Sequence, residues 1–149
     1  MAGTQVEAGT TTTPTAPETP ETVDVLVYSD DRATRRAIID AVGRRPGKGL
    51  PLVRWTEVAT HAGLQEKVSD NVYSVLVLDG EAAKVGGMAI CRELKTSLFD
   101  CPPVMLTIAR PQDAWLATWS EADAWVAEPL DPFEVQETLA GLLTGVLAT

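Results

Sequence analysis

Histidine and cysteine are nearly absent from this chain of 149 residues, which has one histidine, His61, and two cysteines, Cys91 and Cys101. Two cysteines are too few for a disulfide scaffold, and with a single histidine they do not form a zinc-binding pattern. Basic residues are also scarce, because 12 Lys+Arg stand against 21 Asp+Glu and leave a net charge of −9. Nucleic-acid binding needs a cationic surface, so we expect no nucleic-acid partner.

Long apolar runs are missing as well. No stretch approaches the roughly 18–20 apolar residues of a membrane span, and the first residues lack the basic-then-apolar order of a signal sequence. We therefore expect a cytoplasmic protein without direct membrane insertion. Hydrophobic residues nevertheless make up 45% of the chain and charged residues 22%, which is typical of a globular protein with one packed core.

The first 22 residues differ in composition from the rest, being rich in Thr, Pro and Glu and almost free of large apolar side chains. Such a segment cannot bury enough apolar surface to offset the entropy lost on ordering. We expect residues 1–22 to be a tail that is disordered unless a partner holds it. The folded domain is expected over residues 23–149.

Short apolar runs alternate with amphipathic segments through the rest of the chain. The runs predict strands at 25–28, 52–58, 75–78, 104–106 and 125–126, with 52–58 as a weaker edge strand. The amphipathic segments predict helices at 33–42, 58–68, 88–98, 111–120 and after Asp131, which would cap the last helix ahead of Pro132. Continuous apolar strands alternating with helices indicate an α/β fold, a doubly wound five-stranded parallel sheet that places its binding crevice at the carboxyl ends of the strands.

Polar side chains follow these strands. Asp30 comes after the first strand, Asp79 and Glu81 come at the end of the third, and Thr107 ends the fourth. Clustered carboxylate oxygens suit Mg²⁺, so we interpret Asp30, Asp79 and Glu81 as a Mg²⁺ site or the remnant of one. No other cofactor is indicated. The alternative is that such acids only cap helices and turns, and for the neighbouring Asp31 we favour that interpretation.

In the order and spacing of these features, residues 23–147 resemble the receiver domain of bacterial two-component response regulators, whose (βα)5 fold is flavodoxin-like. The resemblance implies that Asp79 is the candidate phosphoacceptor and that Asp30 and Asp79 are metal ligands. It also implies that Thr107 is the switch hydroxyl and Trp125 the switch aromatic. Gly87, eight residues after Asp79, stands where the family has its loop glycine.

Four positions depart from the family pattern. Ser29 takes the place of the first acid of the pocket, Ala82–Ala83 replaces Met-Pro, and Glu128 replaces the lysine that contacts the phosphoryl oxygens. At ~4 Å and an effective dielectric of ~20, each unit-charge interaction is about 4 kcal/mol before relaxation. A carboxylate at this position therefore disfavours an aspartyl phosphate, and Arg110 is the candidate substitute cation. We interpret the pocket as a degraded phosphorylation site on an intact scaffold.

Tryptophans mark a candidate docking surface. Trp115 and Trp119 lie on the predicted fourth helix and Trp125 on the fifth strand, a region through which receivers signal to partners. Tryptophan is enriched at binding hot spots, although a pair one turn apart is equally compatible with an inward-facing core stripe. The basic segment 44–49 is a second candidate surface, with a solvated loop as the alternative.

Three stretches, residues 25–31, 78–90 and 101–120, resemble a narrower group, the orphan single-domain atypical receivers of actinobacteria. Members of this group are associated with the type I NADH:quinone oxidoreductase, respiratory complex I. The resemblance implies a protein partner, the hydrophilic arm of complex I. It also implies a peripheral position at the inner face of the cell membrane.

Three functions remain open, of which we prefer a non-enzymatic pseudo-receiver acting as an accessory or regulatory subunit. The alternative is a phosphorylatable single-domain response regulator that relays a signal from a histidine kinase through Asp79. A small phosphoryl-transfer enzyme using Asp30 and Asp79 ranks last, because the sequence has no glycine-rich loop for a nucleotide. The chain ends on its last predicted helix, so we expect output through docking and not through an appended DNA-binding domain.

Overall fold

The computed structural model describes residues 21–148. Almost all of the tail predicted over residues 1–22 lies outside the described residues, and the first strand begins at Thr22. The strands are β1 (Thr22–Tyr28), β2 (Leu52–Val58), β3 (Val75–Asp79), β4 (Val104–Ile108) and β5 (Ala124–Ala127). The helices are α1 (Arg32–Val42), α2 (His61–Asp70), α3 (Gly87–Ser97), α4 (Ala114–Trp119) and α5 (Pro132–Leu147).

The five strands form one parallel sheet in the order β2-β1-β3-β4-β5. This confirms the predicted doubly wound α/β fold and places β2 at an edge. Every crossover between strands contains a helix, so the carboxyl ends of β1, β3 and β4 meet at one edge of the sheet. The polar residues that follow these strands are brought together there.

Apolar side chains of the central strands alternate between two buried layers. Leu26, Leu76 and Leu106 lie in the layer covered by α2, α3 and α4. Val25, Val77 and Met105 lie in the layer covered by α1 and α5. Burial on both faces explains why these strands are continuously apolar in sequence. Within residues 21–148, no helix is long and apolar enough to cross a membrane.

Helix starts follow the capping residues. Asp131 accepts a hydrogen bond from the N–H of Phe133 at 3.0 Å and caps α5 as predicted. The predicted helix over 58–68 begins later, because β2 continues to Val58 and Thr60 caps α2 by accepting from the N–H of Gly63 at 2.9 Å. The predicted helix over 111–120 is a 3₁₀ turn, Pro111–Asp113, followed by the short α4.

Candidate functional site

Asp79 lies in a buried pocket at the carboxyl end of β3, where its residue is 4% exposed. The hydroxyl of Ser29 donates to Asp79 Oδ2 at 2.8 Å, and the backbone N–H of Glu81 donates to Oδ1 at 2.9 Å. Thr107, the cross-strand partner of Asp79, donates from Oγ1 to Oδ1 at a longer 3.5 Å. Both carboxylate oxygens therefore have donors from this chain, as a buried charge requires.

The loop after Asp79 is packed tightly against the strand. A Cβ atom on Gly87 would lie 2.7 Å from the carbonyl oxygen of Asp79, so only glycine lets α3 begin this close to β3. The Tyr28 hydroxyl donates to the Val85 carbonyl at 2.6 Å and holds the same loop. Burial and the carboxylates of Asp30 and Asp79 raise the pKa of Tyr28, so the phenol stays protonated and able to donate.

Asp30 binds the loop that follows Asp79. Its Oδ2 atom accepts hydrogen bonds from the backbone N–H groups of Ala83 at 3.0 Å and Lys84 at 3.2 Å. Asp31 caps α1, as predicted, by accepting from the N–H of Ala33 at 3.1 Å. A proline at position 83, where the family pattern has one, would lack the first of these two donors.

Each of the three predicted Mg²⁺ ligands has a hydrogen-bond partner within this chain. Asp30 binds loop amides, Asp79 is satisfied by Ser29 and Glu81, and the Glu81 carboxylate accepts from the N–H of Ala109 at 3.3 Å. Across residues 21–148, no three His, Cys, Asp or Glu side chains are grouped so that they could hold a metal ion. Mg²⁺ is usually held by one or two carboxylates together with waters, so a Mg²⁺ site at Asp30, Asp79 and Glu81 stays a prediction.

Glu128 stands at the end of β5 on the rim of the pocket, before a cis bond to Pro129. Its backbone N–H donates to the carbonyl of Ile108 at 2.9 Å, which fixes its position. Within residues 21–148 its carboxylate has no hydrogen-bond or ion-pair partner. Partial burial, followed by the charges of Asp79 and Glu81, raises the pKa of Glu128. The position that would carry a cation in the family pattern therefore carries an unneutralised acid.

Arg110, the candidate substitute cation, interacts electrostatically with Glu81, but within the described residues its ion pair is with Asp113. Its guanidinium pairs with Asp113, with Nη2 3.0 Å from Oδ1, because the two residues are three positions apart at the start of the 3₁₀ turn. A different arginine lies under the pocket: Arg35 donates from Nη1 to the carbonyl of Ser29 at 2.7 Å and pairs with Glu57 at 2.9 Å. Sequence reasoning missed Arg35, which looks like any other polar residue of an amphipathic helix.

The tryptophans are on the surface. Trp115 is 66% exposed, Trp119 49% and Trp125 39%, while Ala117 takes the inward position of α4. The alternative of an inward tryptophan stripe is therefore wrong. Trp125 is in register with Leu106, and the side chain of Leu106 lies in the layer covered by α3 and α4. The Trp125 side chain therefore projects to the same side of the sheet as α4. We call Trp115, Trp119 and Trp125 the tryptophan face.

Comparison with known proteins relates the chain to a signalling family. No family model matches it. It is 39% identical over 127 residues to curated response regulatory proteins of two Mycobacterium tuberculosis strains, an alignment that covers 85% of this chain and 96% of theirs. The chain belongs to the response regulator family. Receiver domains of this family are signalling modules that interact with histidine kinases and effector domains.

Solved structures show the same fold at lower identity. The receiver domain of a signal transduction histidine kinase from Syntrophus aciditrophicus superposes with a TM-score of 0.70 at 20% identity, covering 85% of this chain and 94% of that one. The response regulator TrrA from Thermotoga maritima, solved with Mg²⁺ and BeF, gives a TM-score of 0.66 at 20% identity, covering 81% and 99%. These matches confirm the receiver fold of this response regulator.

Proposed function

We propose that this response regulator is an atypical receiver that acts as a protein-interaction module without phosphorylation of Asp79. The observation that carries the proposal is the charge around the pocket. Asp79, Glu81 and Glu128 are all acidic, and none of the three has an ion-pair partner among residues 21–148. A phosphoryl group on Asp79 would add negative charge to this set.

The repulsion between a phosphoryl group on Asp79 and a nearby carboxylate is large enough to disfavour phosphorylation. Two like unit charges about 5 Å apart, at an effective dielectric of about 20, repel by roughly 3 kcal/mol. Phosphoryl transfer depends on cations that neutralise the charge developing on the equatorial oxygens. In this chain Ser29 replaces one acid of the family's acidic pair, and the negative charge of Glu128 would repel the transferred phosphoryl group.

The tryptophan face is the docking surface of this proposal. Taking about 250 Å² for a whole tryptophan, the exposures of Trp115, Trp119 and Trp125 correspond to roughly 380 Å² of aromatic surface. Tryptophan is enriched at binding hot spots, so this exposed aromatic surface supports a docking role. The Arg92 guanidinium lies 4.6 Å from the centroid of the Trp119 ring and holds that side chain in place.

The partner we propose is the hydrophilic arm of respiratory complex I, with the chain as an accessory or regulatory subunit. Support comes from the resemblance of residues 25–31, 78–90 and 101–120 to receivers associated with that enzyme. Association with complex I would place the protein peripherally at the inner face of the membrane.

The test is an affinity capture with the tagged full chain from gently solubilised native membranes, read by mass spectrometry. We expect near-stoichiometric complex I subunits with the wild type and with Asp79→Asn, and at least a fivefold loss with Trp115→Ala/Trp119→Ala. Phe99→Ala is the matched control, because Phe99 is fully exposed but lies in the connection between α3 and β4. Capture that fails for Asp79→Asn, or that recovers a histidine kinase instead, would contradict the proposal.

A second candidate is a phosphorylatable single-domain response regulator that relays a signal through Asp79. The observation that favours it is the retained pair of Asp79 and Thr107, which face each other across β3 and β4 with a hydroxyl-to-carboxylate distance of 3.5 Å. This function requires transfer from a histidine kinase to proceed despite Glu128. Restoring the cation with Glu128→Lys would then change the rate of transfer little.

A further inference from the structure

A groove of about 510 Å³ runs between α1 and the connection from β5 to α5. One wall is an alanine stripe on α1, formed by Ala33, Ala37 and Ala41 at four-residue spacing. The opposite wall is formed by Pro129, Leu130 and Pro132. The small side chains of the first wall and the rigid rings of the second leave an apolar channel open to solvent.

The charges in this groove are all negative. Its lining contains two carboxylates, Asp40 and Glu128, and no basic side chain. Asp40 already faces Arg36 at 3.7 Å. Glu128 has no such partner within residues 21–148, and it interacts electrostatically with Asp79 and Glu81. A cation that pairs with Glu128 would therefore also be attracted by two further acids.

The shape selects the kind of cation. A hydrated metal ion gains little from walls of alanine and proline, and the described residues offer no metal-binding group of acids. A lysine or arginine side chain combines an apolar stem, which can lie along such walls, with a charged head that can reach Glu128. Nucleic acid and anionic lipid are repelled by the same carboxylates.

We propose that this groove binds a lysine or arginine side chain of a protein partner, whose cation pairs with Glu128 at the position where the family pattern has an internal lysine. The partner thereby supplies the missing charge in trans. The inference deepens the proposed function by adding a second contact for the same partner, on the side of the sheet covered by α1 and not by α4, and it rests on that function only for the partner's identity.

The first test needs no partner. Backbone amide NMR spectra of the chain are recorded during titration with N-acetyl-lysine methylamide and, separately, with N-acetyl-norleucine methylamide, which has the same kind of stem without the charge. We expect saturable shifts at Ala37, Ala41 and Leu130 with the lysine compound and at least fivefold weaker binding of the norleucine compound. Equal responses to the two compounds, or none, would overturn the assignment.

Variants locate the site. Glu128→Gln should weaken binding of the lysine compound at least fivefold, whereas Glu134→Gln, an exposed acid in the first turn of α5 outside the groove lining, should leave it unchanged. Ala37→Trp, at an exposed position of α1, should fill the groove and abolish the shifts at Leu130. Unchanged binding in Glu128→Gln would remove Glu128 from the site.

The second test uses the captured complex. Glu128→Lys should reduce recovery of complex I at least fivefold, while Glu134→Lys should not. Equal recovery of both would show that no partner cation docks in the groove. Failed capture of complex I by the wild type, with intact binding of the lysine compound, would overturn the proposed partner and leave the groove assignment standing.

Discussion

Replacing Ser29 with alanine tests the buried contact that holds Asp79. The Ser29 residue is fully buried, and its hydroxyl donates to Asp79 Oδ2 at 2.8 Å and accepts from the N–H of Asp31 at 3.1 Å. A hydrogen bond to a charged group contributes about 1.5–3 kcal/mol and a neutral one about 0.5–1.5 kcal/mol. We therefore expect Ser29→Ala to lower the free energy of unfolding by about 2–4 kcal/mol.

Urea denaturation followed by tryptophan fluorescence measures this loss as a lower midpoint at an unchanged slope. Ser69→Ala is the matched control, because that exposed hydroxyl donates only to a carbonyl of its own helix, and we expect a change within about 0.5 kcal/mol. In a double-mutant cycle with Asp79→Asn, the coupling energy should be about 1.5–3 kcal/mol. A Ser29→Ala variant as stable as the wild type, or a coupling energy near zero, would refute the role of Ser29.

Three further predictions follow from the structure. Gly87→Ala should destabilise the fold by about 1–3 kcal/mol in urea, because its Cβ would overlap the Asp79 carbonyl, whereas Gly141→Ala, with open space around it in α5, should stabilise it by up to about 1 kcal/mol. The pKa of Glu128 is raised in the folded state, so ionisation of this carboxyl destabilises the fold. As the pH rises from below 4.5 through that raised pKa, the urea midpoint of the wild type should fall relative to that of Glu128→Gln. A constant difference between the two midpoints across this pH range would contradict the prediction. Ellman's reagent should modify Cys101 before Cys91, because Cys91 is fully buried and burial raises the pKa of its thiol to about 11. Modification of both thiols at the same rate in the native protein would contradict this order and show that α3 opens readily.

Most of the fold could be predicted from the sequence, because strands and helix starts are marked by local patterns of residues. Apolar runs continuous over four or more residues identify strands buried on both faces, and Asp131 before Pro132 identifies the start of α5. The bounds of α2 and α4 were less predictable. The start of α2 depends on how far β2 extends, and the start of α4 on the 3₁₀ turn ahead of it, and neither changes the apolar pattern.

The site was only partly predictable, because its side-chain contacts join residues that are distant in the sequence. The strand ends placed Asp79, Thr107 and Glu128 around one pocket, because parallel strands end at one edge of the sheet. The partners of side chains were not predictable, since Asp30 bonds to amides 53 and 54 positions away. Whether the tryptophans face outward also depended on tertiary packing, because their spacing fits either side of a helix.

The central claim, that this receiver acts without phosphorylation of Asp79, is tested most directly by intact-mass spectrometry of the full chain after incubation with acetyl phosphate and Mg²⁺. We expect no mass increase for the wild type, and a phosphoryl mass increase for Ser29→Asp/Glu128→Lys that is lost when Asp79→Asn is added. A stoichiometric phosphoryl adduct on Asp79 of the wild type would contradict it.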